Sequence, residues 1–153
     1  MTIRNVVHGS FTITRNWKAA PARVFAAFAT EEGKARWFAG LPGWEVLEKS
    51  FDFREGGRET LKGRHANGMV SSFDCIYRDI APNERIVYSY VMHIDGRKIS
   101  VSQACIQFAP DGGGTKLTVT EYGDFLDGYD DAGSREHGTN LLMDLLGKSV
   151  EGQ

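Results

Sequence analysis

Between Trp44 and Tyr122 apolar and polar residues alternate in short runs separated by tight-turn dipeptides. Alternation turns every second side chain to one side, so each run predicts a strand with one buried face. From Ser71, SSFDCIYRDI places Phe73, Cys75 and Tyr77 together; from Arg85, RIVYSYVMHI does the same for Ile86, Tyr88, Tyr90 and Met92. KISVSQACIQF and TKLTVTEY extend the series, the second with Leu117, Val119 and Glu121 sharing a face. Asn67-Gly68 and Asp95-Gly96 each supply two residues that tolerate positive φ, as a two-residue hairpin turn requires. Ala81-Pro82-Asn83 and the glycine-rich stretch from Asp111 to Gly114 mark the remaining turns of a meander.

Helical spacing occurs in three places. Pro21 can open a helix at its first turn, and ARVFAAFA carries Val24, Phe25 and Phe28 on one stripe. A second short helix spans Glu31 to Phe38 and ends near Gly40. From about Ser134 to Ser149, Gly138, Leu141, Leu142, Leu145 and Leu146 fall on one side, a stripe that belongs against a sheet. With an initial strand from Phe11 to Arg15, the pattern predicts an α+β fold. A curled antiparallel sheet of six or seven strands wraps a long C-terminal helix, with two short helices after the first strand. A curled sheet closing on one helix encloses a cavity, which makes the ligand question the function question.

Composition bounds the reading. A chain of 153 residues can bury roughly two-thirds of its unfolded surface, and no linker, repeat or low-complexity tract divides it, so residues 1–153 read as a single domain. The formal net charge of −2 comes with no basic stripe, which argues against nucleic acid and anionic membranes as partners. No apolar run reaches the length of a membrane span, and MTIRNVVHGS lacks the apolar core of a signal peptide, so the expected location is cytoplasmic. Cys75 and Cys105 fall on strands separated by the Arg85–Ile94 strand, too far apart to pair, and read as two free, mostly buried thiols.

Six pieces then stand in register: APARVFAAF, ARWFAG, FREGGRE, IAPNERIVYSY, GGGTKLTVTE and SREHGTNLLMDLL. Together, from Phe11 to Leu146, they resemble the bacterial family related to the C-terminal domain of the activator of heat-shock-protein ATPase (AHSA-like). That family lies in the helix-grip (SRPBCC) superfamily of START lipid-transfer domains, polyketide cyclases and the birch-pollen allergen. The resemblance implies a helix-grip fold with a cavity between the concave sheet face and the last helix. It does not imply one activity, because the superfamily holds binders, transporters and enzymes. The chain departs from the commoner pattern in the long acidic loop GDFLDGYDDAG before the final helix, residues 123–133, which leaves a lid role open.

Strand parity proposes the lining of such a cavity. Phe73 and Tyr77 come from one strand, Tyr88, Tyr90 and Met92 from the next, and Ile106 and Phe108 from the one after, with Trp37 and Phe38 near the mouth. For each aromatic, ordinary core packing competes with a ligand role. The hydroxyls of Tyr88 and Tyr90 favour a cavity, since buried hydroxyls need partners that water or a polar ligand supplies. Glu121 points inward by the same alternation. There it is either a raised-pKa acid, base or ligand anchor, or a strand-end residue that reaches solvent or pairs with Arg58 or Arg135.

Other chemistry finds no pattern. His8, His65, His93 and His137 lack ligand spacing, and Asp124, Asp127, Asp130 and Asp131 lack that of a calcium loop, so no metal is expected. REGGRE and DGGG read as a strand corner and a hairpin turn rather than phosphate loops, and no serine or cysteine sits in a nucleophile context. No cofactor is expected. The reading favours a binder of a small hydrophobic or aromatic molecule, lipid or polyketide-like, over a cyclase or dehydratase-type enzyme that uses Glu121 or a tyrosine. A chaperone-activator-like interaction role ranks last, because a full-length activator carries a further N-terminal domain for which this chain has no room. The expected partner is a small apolar molecule, with a homodimer as an open option.

Overall fold

The computed structural model describes residues 4–38 and 42–151. Its elements run β1 (Val6–Trp17), α1 (Pro21–Ala29), α2 (Glu31–Phe38), β2 (Glu45–Phe51), β3 (Arg58–Arg64), β4 (Val70–Ala81), β5 (Arg85–Ile94), β6 (Arg97–Asp111), β7 (Gly114–Leu126) and α3 (Ala132–Glu151). All seven strands form one antiparallel sheet in the order β1-β7-β6-β5-β4-β3-β2. Strands β2 to β7 follow one another as a meander, as short turns dictate. The single long connection, α1 and α2, carries the chain from β1 at one edge to β2 at the other. The sheet curls without closing, and the helices cover its concave face, as the α+β helix-grip expectation required. The expected end of α2 near Gly40 lies outside the described residues.

Each helix begins for a local reason. Pro21 occupies the first turn of α1, where its missing N–H costs nothing. Thr30 closes α1 and caps α2, its Oγ1 accepting from the Gly33 N–H at 3.0 Å. Glu31 and Glu32 in the first turn of α2 suit the positive end of its dipole. Asp131 caps α3 through the Ser134 N–H at 2.8 Å. At the far end of α3, Glu151 accepts from the backbone N–H groups of Lys18 and Ala19, and Arg23 donates to the Val150 carbonyl.

The turns differ in kind. Asp95 and Gly96 both take positive φ, 50° and 81°, and join Ile94 to Arg97 as a two-residue hairpin. Asn67-Gly68 does not make the two-residue turn expected of it. Only Gly68 is left-handed there, the loop spans residues 65–69, and the Asn67 side chain instead accepts from the Met69 N–H. An asparagine with a neighbour two residues on can satisfy its carbonyl locally, which removes the need for the tighter turn.

Alternation places the core. Phe73, Cys75 and Tyr77 of β4, Ile86 and Tyr90 of β5, Ile106 and Phe108 of β6 and Leu117 and Val119 of β7 are all buried on the concave side. In α3 the buried stripe is Met143, Leu146 and Val150, flanked by the half-buried Leu142 and Leu145. Leu141, expected within that stripe, is 45 % exposed. The helix is rotated so that i, i+3 and i+7 from Met143 face the sheet. Cys75 is buried and its thiol is pushed up to about 12, first by burial and then by the charge of Glu59. Cys105 is only half-buried, because its parity places it on the convex face. The stretch expected as a long acidic loop is shorter than its sequence suggests: residues 123–126 complete β7 against β1. Asp124 meets His8 at 2.7 Å, and Asp127 bonds Arg4 and the Asn5 N–H.

Candidate functional site

A cavity of about 320 Å³ lies between the concave face and helices α2 and α3. That is at the lower end of the range for small-molecule sites. Its walls follow from parity. Phe73 of β4, Tyr88, Tyr90 and Met92 of β5, Ile106 of β6 and Val119 and Glu121 of β7 all reach it. From the helical side come Trp37 and Phe38 of α2 and Thr139, Leu142 and Met143 of α3, with the exposed Leu141 at the rim. Aromatic rings meet edge to face around it, Phe38 against Phe73 at 5.0 Å and Trp37 against Phe38 at 5.5 Å, the arrangement that ring quadrupoles favour.

Three sequence expectations need correction. Phe108 does not reach the cavity; it packs edge to face against Phe25 and Phe28 at 5.3 and 5.6 Å, where α1 crosses the sheet. Tyr77 is also outside it. Its O–H donates to Glu59 Oε1, and its ring lies against Phe53 at 4.9 Å. Trp37 lines the cavity from within rather than at the mouth, being 3 % exposed with its indole N–H donating to the Ala27 carbonyl at 2.9 Å. Parity gives a side chain's face, but not its position along the strand relative to helices that cross it, and that is where Phe108 and Tyr77 differ from the others.

Sequence reasoning missed the other end of Tyr77's hydrogen bond. Lys34 and Glu59 are 6 % and 4 % exposed, and Lys34 Nζ stands 2.8 Å from Glu59 Oε1. The ammonium also lies over the Phe38 ring, 4.5 Å from its centroid. This cluster ties α2 to β3 and β4 and so holds the wall that carries Trp37 and Phe38. The signal was present in β3, where Glu59 alternates in phase with Leu61 and so must point inward. Trp44, His65 and Ser71 also line the cavity without having been expected there, with His65 Nε2 and Ser71 Oγ 2.9 Å apart. Gly63 leaves room for Trp44, since a Cβ there would overlap the indole.

The cavity has one strongly polar end. Glu121 is 4 % exposed in mid-strand, and the Tyr90 O–H donates to its Oε2 at 2.5 Å. Arg135 of α3 donates to the Tyr90 hydroxyl at 2.9 Å, to Ser100 Oγ at 2.7 Å and to Asp130 Oδ2 at 2.8 Å. It stands 3.7 Å from Glu121 Oε2. Glu121 therefore faces the cavity and is also paired with Arg135, which joins the two readings left open by the sequence. Arg58 is not its partner, being engaged by Asp74.

Electrostatics follow the burial. Desolvation raises the Glu121 carboxyl above its ordinary value, opposed by the Tyr90 hydrogen bond and the Arg135 charge. Burial, followed by the charge of Glu121, raises Tyr88 and Tyr90, so both hydroxyls stay protonated. Burial alone would lower Arg135, but Tyr90, Glu121 and Asp130 outweigh it and keep the guanidinium charged. Such a group can hold a proton on Glu121 or offer a fixed acceptor to a guest. Among the described residues no three His, Cys, Asp or Glu side chains gather as metal ligands, and no helix is long and apolar enough to cross a membrane.

A family model described as Activator of Hsp90 ATPase homolog 1-like protein matches residues 18–151. The chain belongs to this family. Its members are helix-grip proteins of the superfamily that the six sequence pieces resembled, and hydrophobic ligands are common among them. This activator-homologue chain is similar to a solved structure of a putative uncharacterized protein from Rhizobium leguminosarum. The two are 40% identical, with 99% of this chain and 100% of that one covered at a TM-score of 0.94. It is also 41% identical to the protein Mll3558 from Rhizobium loti, covering 95% and 99% of the two chains at a TM-score of 0.88. An AHSA1-like protein from Aeromonas hydrophila, 21% identical over 93% and 92% of the chains with a TM-score of 0.69, shares the fold. No curated protein matches the chain.

Proposed function

We propose that this activator-homologue domain binds a small apolar or aromatic molecule non-covalently between its sheet and α3. The observation that carries this reading is the partly open cavity of about 320 Å³, walled by aromatic and aliphatic side chains and polar chiefly at one end. Burying apolar ligand surface there gains about 25 cal/mol per Å² before the costs of association are met. Family membership supports the reading without naming a ligand.

Native mass spectrometry of the protein as purified should show a co-purified small molecule. Titration of the emptied protein with naphthalene should give a saturable change in tryptophan fluorescence, because Trp37 and Trp44 form part of the wall. A fluorescence response that grows linearly without saturating, together with no retained mass, would remove the binding role.

A second reading has one specific observation behind it. Glu121 is a cavity-facing carboxyl with a raised pKa, the property of a general acid in a cyclase or dehydratase-type reaction. Turnover of any ligand recovered from the protein would establish it, and loss of that turnover in Glu121→Gln would assign the proton.

Glu121→Gln also tests the energetics. The amide keeps an acceptor for the Tyr90 O–H, and Asp130 still balances Arg135, so the variant should be as stable as wild type or up to about 1 kcal/mol more stable at neutral pH. The sign follows from the raised pKa: folding disfavours the ionised form, so the cost exists above the folded pKa and disappears as pH falls below the ordinary value of 4.5. Denaturation of both proteins across pH should show the advantage of the variant shrinking on acidification; an advantage that grew instead would refute the assignment.

A further inference from the structure

The polar end of the cavity holds hydrogen-bonding capacity that the protein leaves unused. Tyr90 donates to Glu121 Oε2 and Arg135 approaches that same oxygen, but among the described residues nothing donates to Glu121 Oε1. Among the described residues no fully buried side-chain oxygen lacks a partner, so this atom of a cavity-lining carboxylate opens on the cavity. The Tyr88 hydroxyl is in the same condition: it lines the cavity and has no described protein partner. The two residues sit at one register level, since Tyr88 is opposite Ala104 and Ala104 is opposite Glu121. Ala104, fully buried and small, forms the floor between them, and two strand spacings separate their backbones by about 10 Å.

Charge limits what can enter this gap. The four N–H groups on the terminal nitrogens of Arg135 already have four acceptors, the oxygens of Tyr90, Ser102, Ser100 and Asp130. Two carboxylates, Glu121 and Asp130, face that one guanidinium. An incoming anion would add a third negative charge where water is scarce, and would find the strongest donors occupied. A hydroxyl meets both unused groups instead, donating to Glu121 Oε1 and accepting from the Tyr88 O–H.

We infer that the cavity selects a neutral molecule bearing a hydroxyl on an otherwise apolar frame, a phenol or alcohol, and discriminates against carboxylates. This rests on the ligand-binding reading above. It deepens that reading by giving the guest an orientation, with its hydroxyl toward Tyr88 and Glu121 and its apolar body toward Phe38, Phe73 and Leu142.

Three probes of one frame separate the possibilities: 2-naphthol, its methyl ether 2-methoxynaphthalene, and 2-naphthoate. Calorimetric titration of the intact protein should give 2-naphthol the tightest binding, with the ether roughly tenfold weaker because it cannot donate to Oε1, and naphthoate weaker still. Tyr88→Phe removes a hydroxyl that no described protein group uses, so it should fold normally and weaken naphthol and the ether alike, because the oxygen of each accepts from that hydroxyl. Glu121→Gln lowers the negative charge and should bring naphthoate closer to naphthol. Naphthoate binding as tightly as naphthol to the wild type, or equal binding of naphthol and the ether, overturns this inference and leaves the ligand-binding reading standing. Saturable binding of none of the three overturns both.

Discussion

A chain ending at Gly133 should not fold. Removing the rest of α3 uncovers the surface against which Met143, Leu146 and Val150 are buried, all 5 % exposed or less. At roughly 1.5 to 3 kcal/mol for each buried side chain, these three alone account for about 5 to 9 kcal/mol. That is comparable to the whole stability of an ordinary domain. The truncation also takes Arg135 away from Glu121 and Tyr90, leaving a buried carboxylate without its counter-ion. Differential scanning calorimetry should show no cooperative transition. A cooperative melt near the wild-type temperature would mean that the sheet supports itself. As a finer probe, Leu146→Ala should cost about 2 to 5 kcal/mol, since Leu146 is fully buried.

Lys34→Ala should be the most damaging single charge removal. Glu59 is 4 % exposed, and its described ionic partner is Lys34, 2.8 Å away. Breaking a buried pair by deleting one member leaves an uncompensated charge and costs on the order of 3 to 5 kcal/mol. The Tyr77 O–H remains to Glu59, which softens the loss without replacing a positive charge. Because the pair joins α2 to β3, the variant should also loosen the wall bearing Trp37 and Phe38. Guanidinium denaturation measures the first effect and near-ultraviolet circular dichroism the second. The double variant Lys34→Met, Glu59→Gln should recover most of the stability, because it removes both charges together. A single variant within about 1 kcal/mol of wild type would show that the pair is no better than a surface salt bridge.

The strand faces could be read directly from the chain. In β4 one parity carries Phe73, Cys75 and Tyr77 and in β5 one parity carries Ile86, Tyr88, Tyr90 and Met92, and the side-chain period of a strand puts each set on one face. For the same reason Phe73, Tyr88, Tyr90, Met92, Ile106 and Glu121 were all expected on the concave side, and all line the cavity. Asp95-Gly96 placed its hairpin correctly because both residues can take positive φ at little cost. Asn67-Gly68 carried the same signal but formed a longer loop, since an Asn side chain can satisfy a nearby backbone N–H in more than one way. Residues 123–126 were expected within the acidic loop before the last helix. Pairing with β1, which becomes adjacent only when the two sequence ends meet, extends the strand to Leu126.

What the chain by itself determined was therefore local: the order of elements, the parity of each strand, the turn at Asp95-Gly96 and the inward direction of Glu121. Each follows from backbone geometry over a few residues and needs no distant partner. The tertiary structure decided where along each strand the cavity begins and ends. Phe108 became core because α1 crosses above it with Phe25 and Phe28, and Tyr77 became part of a buried ion cluster because Lys34 descends from α2 to Glu59. It also decided the rotation of α3, which put Met143 rather than Leu141 against the sheet and brought Arg135 to Glu121. These outcomes depend on contacts between residues far apart in sequence, whose energies are set by shape and desolvation at the point of meeting and have no periodic signature in the chain.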